Sequence, residues 1–267
     1  MTTTTSATLA AADRLLRAER DRVPAAPVRD LVSDVDAAYA VQADVLARKL
    51  ADDPDRRVVG RKIGLTSPAV QRQLGVDRPD FGVLLDDVVF GDRAEVPLAA
   101  FLQPRVEGEV AFVLGADLPA GATIVDVLRA TEFVLPAIEI VDSRVAGWDI
   151  TITDTVADNA SSGAVVLGTT PKKLTALDLP ALGLSLEHRG EPVSTGVGAA
   201  CLGAPANAVA WLAAEVARRG EPLRAGEVVL AGAWGPMVPV PGPGAYLARF
   251  EDIGDVRVTF TGAKEDS

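Results

Sequence analysis

The spacing of apolar residues changes at Val58, and this change limits the possible folds more than any other feature of the sequence. Before it, residues 7–22 and 34–51 carry apolar side chains at helical spacing, on either side of a proline-containing connector. After it, short β-branched runs alternate with Gly, Pro and Asp turns, a pattern typical of strands. We therefore predict an N-terminal helical segment, residues 1–57, followed by a strand-rich domain, residues 58–267.

The second region contains signals for both strands and helices. Strands are predicted for the runs 58–64, 107–114 and 133–141, and hairpins for 184–195 and 246–260. Helices are predicted for 124–130 and 205–219. A chain of 267 residues, 48% of them hydrophobic, can bury a core of its own. The expected fold class is α+β with mixed strands.

Three glutamates stand within the predicted strands. Glu107 and Glu109 are two residues apart, so the strand period of two places them on one face, which continues as Ala111 and Val113. Glu139 stands alone in an apolar run. An ionised carboxylate that is buried without a partner is costly, and neighbouring like charges add to the cost.

A bound dication would remove that cost, and ligation by oxygen alone favours Mg²⁺ or Mn²⁺ over zinc. The alternative is that these carboxylates are solvated on an edge strand, or paired with Arg105 and Arg144. The residues leave both interpretations open, although the apolar run around Glu139 does not resemble a solvated face.

Two further residues are candidates for acid–base chemistry. Lys62 lies in a glycine-bracketed apolar segment, and a desolvated lysine, unlike arginine, can lose its proton. A lysine that only extends its head group to solvent is the alternative. Asp80 follows Arg78 and a proline in a turn-like stretch, where local hydrogen bonding is the usual role of Asp. Residues 154–163 are polar and small, which predicts a loop that either approaches a ligand or only turns the chain.

Composition excludes several classes of function. The formal net charge of −11 argues against a nucleic-acid-binding surface, which needs clustered Lys and Arg. Cys201 is the only cysteine, so neither an intrachain disulfide nor a thiolate metal cluster can form, and a cytoplasmic location fits. His188 is the only histidine and stands at a predicted hairpin tip, which argues against Ser/His/Asp and Cys/His hydrolases.

Hydropathy bears on membranes and on assembly. We find no apolar run that approaches the roughly 18 to 20 residues of a membrane span, so no membrane partner is expected. The mean hydropathy of +0.22 is high for an acidic chain. Because surface of this kind is often buried between subunits, we expect a homo-oligomer.

Ordered segments along nearly the whole chain carry a family resemblance. The strongest segments are Val59–Ser67, Gln73–Gly82, Gln103–Glu109, Glu139–Arg144 and Asp154–Ser161. They resemble the 2-keto-4-pentenoate hydratase family, within the fumarylacetoacetate hydrolase-like superfamily. The resemblance implies a mixed β-roll or sandwich fold with an N-terminal helical segment. One departure is Ala204, where similar chains often carry histidine, so a local change in packing or helix capping is expected there.

The resemblance also implies site residues. Glu107, Glu109 and Glu139 would hold a Mg²⁺ or Mn²⁺, and Lys62 and Asp80 would act as acid and base. The pocket that receives the substrate would be lined by Thr66 and Ser161.

The reaction that the resemblance implies is the hydration of 2-hydroxypenta-2,4-dienoate to 4-hydroxy-2-oxopentanoate, in the meta-cleavage breakdown of aromatic compounds. The dication would stabilise the enolate formed on the way. The expected partners are this small acid and, as a further expectation, a decarboxylase or aldolase of the same pathway.

Four alternatives to this reaction stay open. A 2-oxo-3-hexenedioate (4-oxalocrotonate) decarboxylase would use the same metal and the same enolate, and a hydratase of a related 2-oxo acid would differ only at the far end of the substrate. Hydrolysis of an acylpyruvate is disfavoured because the superfamily's hydrolases typically use a histidine to activate water. A non-catalytic partner subunit would leave the three glutamates purely structural.

Overall fold

The computed structural model describes residues 5–68, 71–72 and 76–262. Three residues of one segment that resembles the family, Gln73, Leu74 and Gly75, lie outside these ranges. Five α-helices of the described ranges are α1 (Ser6–Asp21), α2 (Val35–Asp52), α3 (Ile124–Ala130), α4 (Ile152–Ala157) and α5 (Pro205–Arg218).

Thirteen β-strands follow one another along the described chain. The first seven are β1 (Val58–Gly64), β2 (Asp80–Leu85), β3 (Val89–Gly91), β4 (Ala94–Pro97), β5 (Arg105–Leu114), β6 (Thr131–Val141) and β7 (Ser162–Leu167). The others are β8 (Gly183–His188), β9 (Glu191–Val197), β10 (Val228–Leu230), β11 (Val238–Pro239), β12 (Gly244–Phe250) and β13 (Gly254–Thr261). The predicted strands, hairpins and helices are confirmed, apart from shifts of a few residues at their ends.

Two mixed sheets form the body. The larger has eight strands in the order β2-β1-β10-β5-β6-β7-β3, with β11 also paired to β5. The smaller has five strands in the order β4-β13-β12-β8-β9. Three pairs are parallel, β1 with β10, β3 with β7 and β4 with β13, and the other pairs are antiparallel. The α+β class with mixed strands is therefore confirmed.

The two N-terminal helices pack on this body. The side chains of Thr5 and Asp34 cap their first turns by accepting hydrogen bonds from the backbone. Leu15 of α1 and Val41 of α2 are buried in the same apolar cluster as the strands. The division of the chain after residue 57 stays a prediction.

Alternate residues of β5 and β6 face two different cores. On one face, Val110, Phe112, Ile138 and Ile140 join the large apolar cluster that includes the smaller sheet and the helices. On the other face lies a small cluster made by Leu84, Ala111, Ala137, Val165 and Leu230. The period of two predicted for these strands is confirmed, and the face that carries Ala111 is the one that carries the glutamates.

Two local predictions were wrong. Residues 154–163 do not form a simple loop, because α4 covers their beginning and a 3-10 turn follows it. Thr151 and Asp154 form a capping box that starts this helix. The small polar residues that follow favour a loop, so the capping box was not recognised in the sequence. Asp80 is the first residue of β2 and is buried, so it does not lie in an exposed turn.

One stretch, Gly198–Arg218, is long and apolar enough by length and composition to cross a membrane, contrary to expectation. In the structure it is divided, because a 3-10 turn and two residues with positive φ, Leu202 and Gly203, precede α5. The 14 residues of α5 span only about 21 Å, short of a bilayer core of about 30 Å. Since α5 buries Val209 and Leu212, it is a core helix of the fold.

Candidate active site

Three carboxylates meet on one face of the larger sheet. The antiparallel register of β5 and β6 places Glu107 directly opposite Glu139, and Glu109 follows on the same face of β5. One oxygen from each of the three side chains lies within 4.8 Å of the others. Two separate segments of the sequence therefore supply a single acidic cluster. Glu107 and Glu109 share one face of their strand, as predicted.

The cluster is buried and only partly hydrogen-bonded. Glu109 and Glu139 are fully buried, and the backbone N–H of Gly232 donates to Oε2 of Glu109 at 2.8 Å. Among the described residues, Oε1 of Glu109 and Oε2 of Glu139 have no hydrogen-bond partner, and Oε1 of Glu139 has only the nearby ammonium of Lys62. Buried carboxylate oxygens without donors are rare because they lose their hydration without replacement. The cluster therefore has room for a positively charged ligand.

Burial and mutual repulsion make these acids weak in the absence of a cation. Burial, followed by the charge of Glu139, raises the pKa of Glu107 to about 8. The same two causes raise the pKa of Glu109 well above its usual value. Burial also raises the pKa of Glu139, although Lys62 acts in the opposite direction. Binding of a dication would therefore displace protons from these groups into solvent.

Lys62 of β1 reaches into the acidic cluster. Its ammonium lies 3.1 Å from Oε1 of Glu139 and donates a hydrogen bond to the carbonyl oxygen of Ala160 at 3.0 Å. Burial acts to lower the pKa of Lys62, but the surrounding carboxylates, Glu139 first, together raise it above its ordinary value. Without a cation in the cluster, the nearby negative charges therefore outweigh the burial of Lys62. The acid–base role of Lys62 stays a prediction.

Asp80 stands beside Lys62 on the neighbouring strand. In the register of β1 and β2, Asp80 lies opposite Gly64 and Lys62 lies opposite Gly82. A Cβ at Gly64 would come within 2.2 Å of Oδ1 of Asp80 and within 3.5 Å of Nζ of Lys62, so only glycine allows this approach. Burial raises the pKa of Asp80, while Lys62 opposes the shift.

The two residues predicted to line a substrate pocket are both buried. The hydroxyl oxygen of Ser161 has no hydrogen-bond partner among the described residues, so it is free to bind a ligand. Thr66 packs on Gly232, where a Cβ would come within 2.2 Å of its Oγ1. Gly232 is also the residue whose N–H binds Glu109, so Thr66 adjoins the acidic cluster.

Some residues that support the site were not predicted from the sequence. Thr155 of α4 donates from Oγ1 to Oδ2 of Asp80 at 3.1 Å. The side-chain amide of Gln42 in α2 donates to the carbonyl oxygens of Phe81 at 2.9 Å and Val156 at 3.0 Å, which ties β2 to α4. The available signal was a glutamine in the apolar stripe of α2, where an unpaired amide would be costly.

The structure bears on the earlier alternatives for the glutamates, of which Glu109 and Glu139 are buried and Glu107 is half-buried. Within the described residues, Arg144 pairs with Asp158, and the Arg105 guanidinium lies 4.3 Å over the Trp148 ring. Neither arginine pairs with a glutamate of the acidic cluster, and Glu109 and Glu139 are inaccessible to solvent. His188 stacks on an aromatic ring in the smaller sheet and its Nδ1 contacts a backbone carbonyl, so it serves packing there.

Comparison with known proteins places this fold and site in a family. A family model described as the fumarylacetoacetate (FAA) hydrolase C-terminal domain matches residues 58–262. The chain belongs to this family of α+β enzymes, as the resemblance implied. The fold is similar to that of a 4-oxalocrotonate decarboxylase from Pseudomonas putida G7, complexed with magnesium and adipate, with a TM-score of 0.90 and 34% identity over 95% of this chain and 97% of that chain.

Within that family the chain is one of the 2-keto-4-pentenoate hydratases. It is 54% identical to the TodF product hydratase of Pseudomonas putida F1 over 98% of both chains. It is 53% identical to a 2-keto-4-pentenoate hydratase of Paraburkholderia xenovorans LB400, over 94% of this chain and 93% of that relative. The predictions of the family, of its fold and of an enzyme of the hydro-lyase class are confirmed.

Proposed function

We propose that this enzyme adds water to 2-hydroxypenta-2,4-dienoate, giving 4-hydroxy-2-oxopentanoate, with a divalent metal ion held by Glu107, Glu109 and Glu139. The observation that carries the proposal is the set of buried carboxylate oxygens without hydrogen-bond donors at the centre of the cluster. A purely structural cluster would leave Oε1 of Glu109 and Oε2 of Glu139 without a donor, with the single ammonium of Lys62 facing three carboxylates. An oxygen-only set of ligands fits Mg²⁺ or Mn²⁺.

Each residue of the site has a proposed task. A dication bound by the three glutamates would stabilise negative charge that develops on the 2-oxygen of the substrate. Lys62, whose ammonium lies beside Glu139, donates a proton to the substrate. Asp80, fixed by the hydroxyl of Thr155, accepts the proton of the attacking water.

Two hydroxyl groups complete the proposed site. The Ser161 hydroxyl, buried and without a partner, is proposed to hold the substrate. Thr66 would line the same pocket, beside Gly232. Thr66 adjoins the acidic cluster through Gly232, and Ser161 follows Ala160, whose carbonyl oxygen binds Lys62. Both side chains are short, so they can bind a small substrate without filling its space.

The proposed substrate has one carboxylate, and the buried cations support this choice. Within the described residues, three cationic side chains are buried, and each already faces an acid: Arg61 faces Glu221, Lys62 faces Glu139 and Arg144 faces Asp158. A dicarboxylate would require a further cation or donor at its far end. The higher identity to the hydratases than to the decarboxylase supports the same choice.

The test supplies freshly generated 2-hydroxypenta-2,4-dienoate, and separately its 5-carboxy analogue, with Mg²⁺ or Mn²⁺. Loss of ultraviolet absorbance and release of carbon dioxide are followed independently. Hydration of the first compound without gas release supports the proposal. Gas release from the analogue as the main reaction would instead identify a decarboxylase, and inertness toward both compounds and both metals would favour a non-catalytic subunit.

The remaining proposals concern the setting of the enzyme. We propose a homo-oligomer in the cytoplasm that takes part in the meta-cleavage breakdown of aromatic compounds. An association with a decarboxylase or aldolase of the same pathway is also proposed. Sedimentation of the purified chain, alone and mixed with such an enzyme, tests both assemblies, because a monomer in both samples would contradict them.

A further inference from the structure

A left-handed turn stands between α4 and β7 and touches the active site. Asn159, Ala160 and Ser161 have φ values of 54°, 51° and 53°, a conformation that costs L residues roughly 1–2 kcal/mol each. The carbonyl oxygen of Ala160 in this turn accepts the hydrogen bond from Lys62, and Ser161 carries the hydroxyl without a partner. Three consecutive residues in such a conformation need support from their surroundings.

One side chain bridges the two ends of this turn. The guanidinium of Arg144 donates to the carbonyl oxygens on both sides of the turn, from Nη2 to Asp158 at 2.5 Å and from Nη1 to Ser162 at 2.7 Å. Its Nε also donates to a carboxylate oxygen of Asp158, and its backbone N–H donates to the other at 2.9 Å. The planar fork of arginine therefore spans the base of the turn.

Packing contributes little on the outer side of the turn. A cavity of about 280 Å³ borders it there, and Asp158, Asn159, Ser162 and Gly163 are among the residues that line the cavity. Where a cavity borders the backbone, dispersion contacts are missing on that side. Hydrogen bonds must then hold the turn against its conformational cost.

A second clamp joins the turn to β2. The side chain of Asn159 accepts from the N–H of Val83 at 2.8 Å and donates to the carbonyl oxygen of Val83 at 2.9 Å, as a neighbouring strand would. This clamp fixes the first residue of the turn, whereas Arg144 fixes the two residues that flank it. Beyond the clamp, the N–H of Asp142 donates to the carbonyl oxygen of Ser161 at 2.7 Å, and Arg144 in turn donates to the carbonyl oxygen of Asp142 at 2.8 Å. The arginine therefore also supports the strand end that holds Ser161.

We propose that Arg144 is a positioning residue of the active site, which through Asp158 and Ser162 holds the turn that places the Lys62 ammonium and the Ser161 hydroxyl. Arg144 contacts neither substrate nor metal in this role. The expected change in kcat rests on the proposed hydratase function. The structural role of Arg144 rests only on the geometry of the turn.

The test compares Arg144→Ala with wild-type enzyme in kcat, KM, Mn²⁺ affinity and crystal structure. A misplaced proton donor lowers kcat by about 100-fold, with a smaller rise in KM, because a displacement of the order of an ångström has that effect. The affinity for Mn²⁺ stays at the wild-type value, since Arg144 does not contact the glutamates. Millimolar guanidinium, which can enter through the bordering cavity, raises the kcat of Arg144→Ala about tenfold.

Arg22→Ala is the matched control. Arg22 lines the same cavity but donates to the carbonyl oxygen of Ala100, away from the turn. This variant keeps the wild-type kcat and does not respond to guanidinium. If Arg144→Ala does not fold, Arg144→Lys keeps the buried charge beside Asp158 but cannot bridge both carbonyl oxygens, and its kcat falls by about tenfold or more.

Several outcomes would overturn the inference. The first is an unchanged kcat in Arg144→Ala or, if that variant does not fold, in Arg144→Lys. The second is a lowered kcat with the turn unmoved in the crystal structure. The third is a loss of Mn²⁺ affinity as large as the loss of kcat. If the wild-type enzyme does not hydrate the dienoate, the proposed function fails alone. The crystal comparison then decides the positioning role, which an undisturbed turn in Arg144→Ala would refute.

Discussion

The two faces of the larger sheet differ in chemistry although the same strands build them. On one face of β5 and β6, hydrocarbon side chains such as Phe112 and Ile138 pack into the large core and have no polar groups to satisfy. On the other, Glu107, Glu109 and Glu139 form an acidic cluster in which some buried oxygens have no hydrogen-bond donor. Because neighbouring residues of a strand point in opposite directions, one strand can serve stability and reactivity at separate positions.

The small apolar cluster beside the glutamates increases the cost of leaving them ionised without a cation. Ala111 and Ala137 continue the acidic face and pack with Leu84, Val165 and Leu230 into a compact apolar group. This group excludes water from one side of the acidic cluster and strengthens every electrostatic interaction within it. The comparison therefore predicts that substitutions on one face change turnover, and that substitutions on the other change the free energy of unfolding.

The largest expected effect is that of Glu109→Gln. Loss of one carboxylate from the acidic cluster should lower kcat by about 10³-fold or more and weaken Mn²⁺ binding. The free energy of unfolding of the metal-free protein should not fall, because the substitution removes repulsion and glutamine can still accept from Gly232. Steady-state kinetics, Mn²⁺ titration and urea denaturation measure the three quantities, and an unchanged Mn²⁺ affinity would refute the ligand assignment.

Lys62→Met follows on the same face. Removal of the ammonium should lower kcat by roughly 10²- to 10⁴-fold, the range of acid–base groups, while the fold and Mn²⁺ binding persist. Methionine preserves much of the side-chain volume, so circular dichroism and Mn²⁺ titration serve as controls. Full activity in this variant would assign the proton transfer to another group.

Ile138→Ala tests the opposite face. Ile138 is fully buried in the large core between two residues of the acidic face, Ala137 and Glu139. Truncation should lower the free energy of unfolding by about 2–5 kcal/mol, through lost burial and a residual cavity. Turnover per folded molecule should stay near the wild-type value, as measured by kinetics after correction for the folded fraction. A loss of kcat as large as that of Lys62→Met would break the separation of the two faces.

The smallest expected effect is a dependence on pH. The folded-state pKa of Glu107, raised to about 8, and the raised values of Glu109 and Glu139 mean that the metal-free folded protein binds more protons than the unfolded chain. Their stabilising contribution is complete at low pH and is lost as the pH rises through about 8. Thermal scans of the metal-free protein from about pH 6 to about pH 9 should show a falling Tm.

A saturating dication should remove most of that slope, because it takes the place of the bound protons. Calorimetry in two buffers of different ionisation enthalpy should then detect proton release when Mn²⁺ binds near neutral pH. A Tm that does not change with pH, together with no proton release, would contradict the assignment of three coupled acids.

The acidic face could be predicted from the sequence because it follows from local geometry. The period of two placed Glu107 and Glu109 together without any knowledge of tertiary structure, and the apolar run marked Glu139 as buried. The direct pairing of Glu107 with Glu139 depended on strand register, which residues distant in the sequence set. The resemblance to a family supplied that link.

Other parts of the site gave no readable local signal. Ala160 adopts a left-handed conformation that alanine disfavours, so its sequence offered no reason to expect one. Lys62 stands beside several acids, and this proximity reverses the effect of burial on its pKa. Both depend on partners that strand pairing and helix packing bring from elsewhere in the chain, which is why local patterns could not supply them.

The pairing of β1 with β10 also determines when the site can form during folding. Gly60 pairs with Val228, and β10 in turn pairs with β5, so β1 gains its place beside the acidic strand only after distant parts of the chain have met. Such non-local contacts form slowly because a long loop must close first. The glutamates of β5 and β6 can therefore be brought together before Lys62 arrives to offset their charge, and a dication or a lower pH during refolding would stabilise this early pairing.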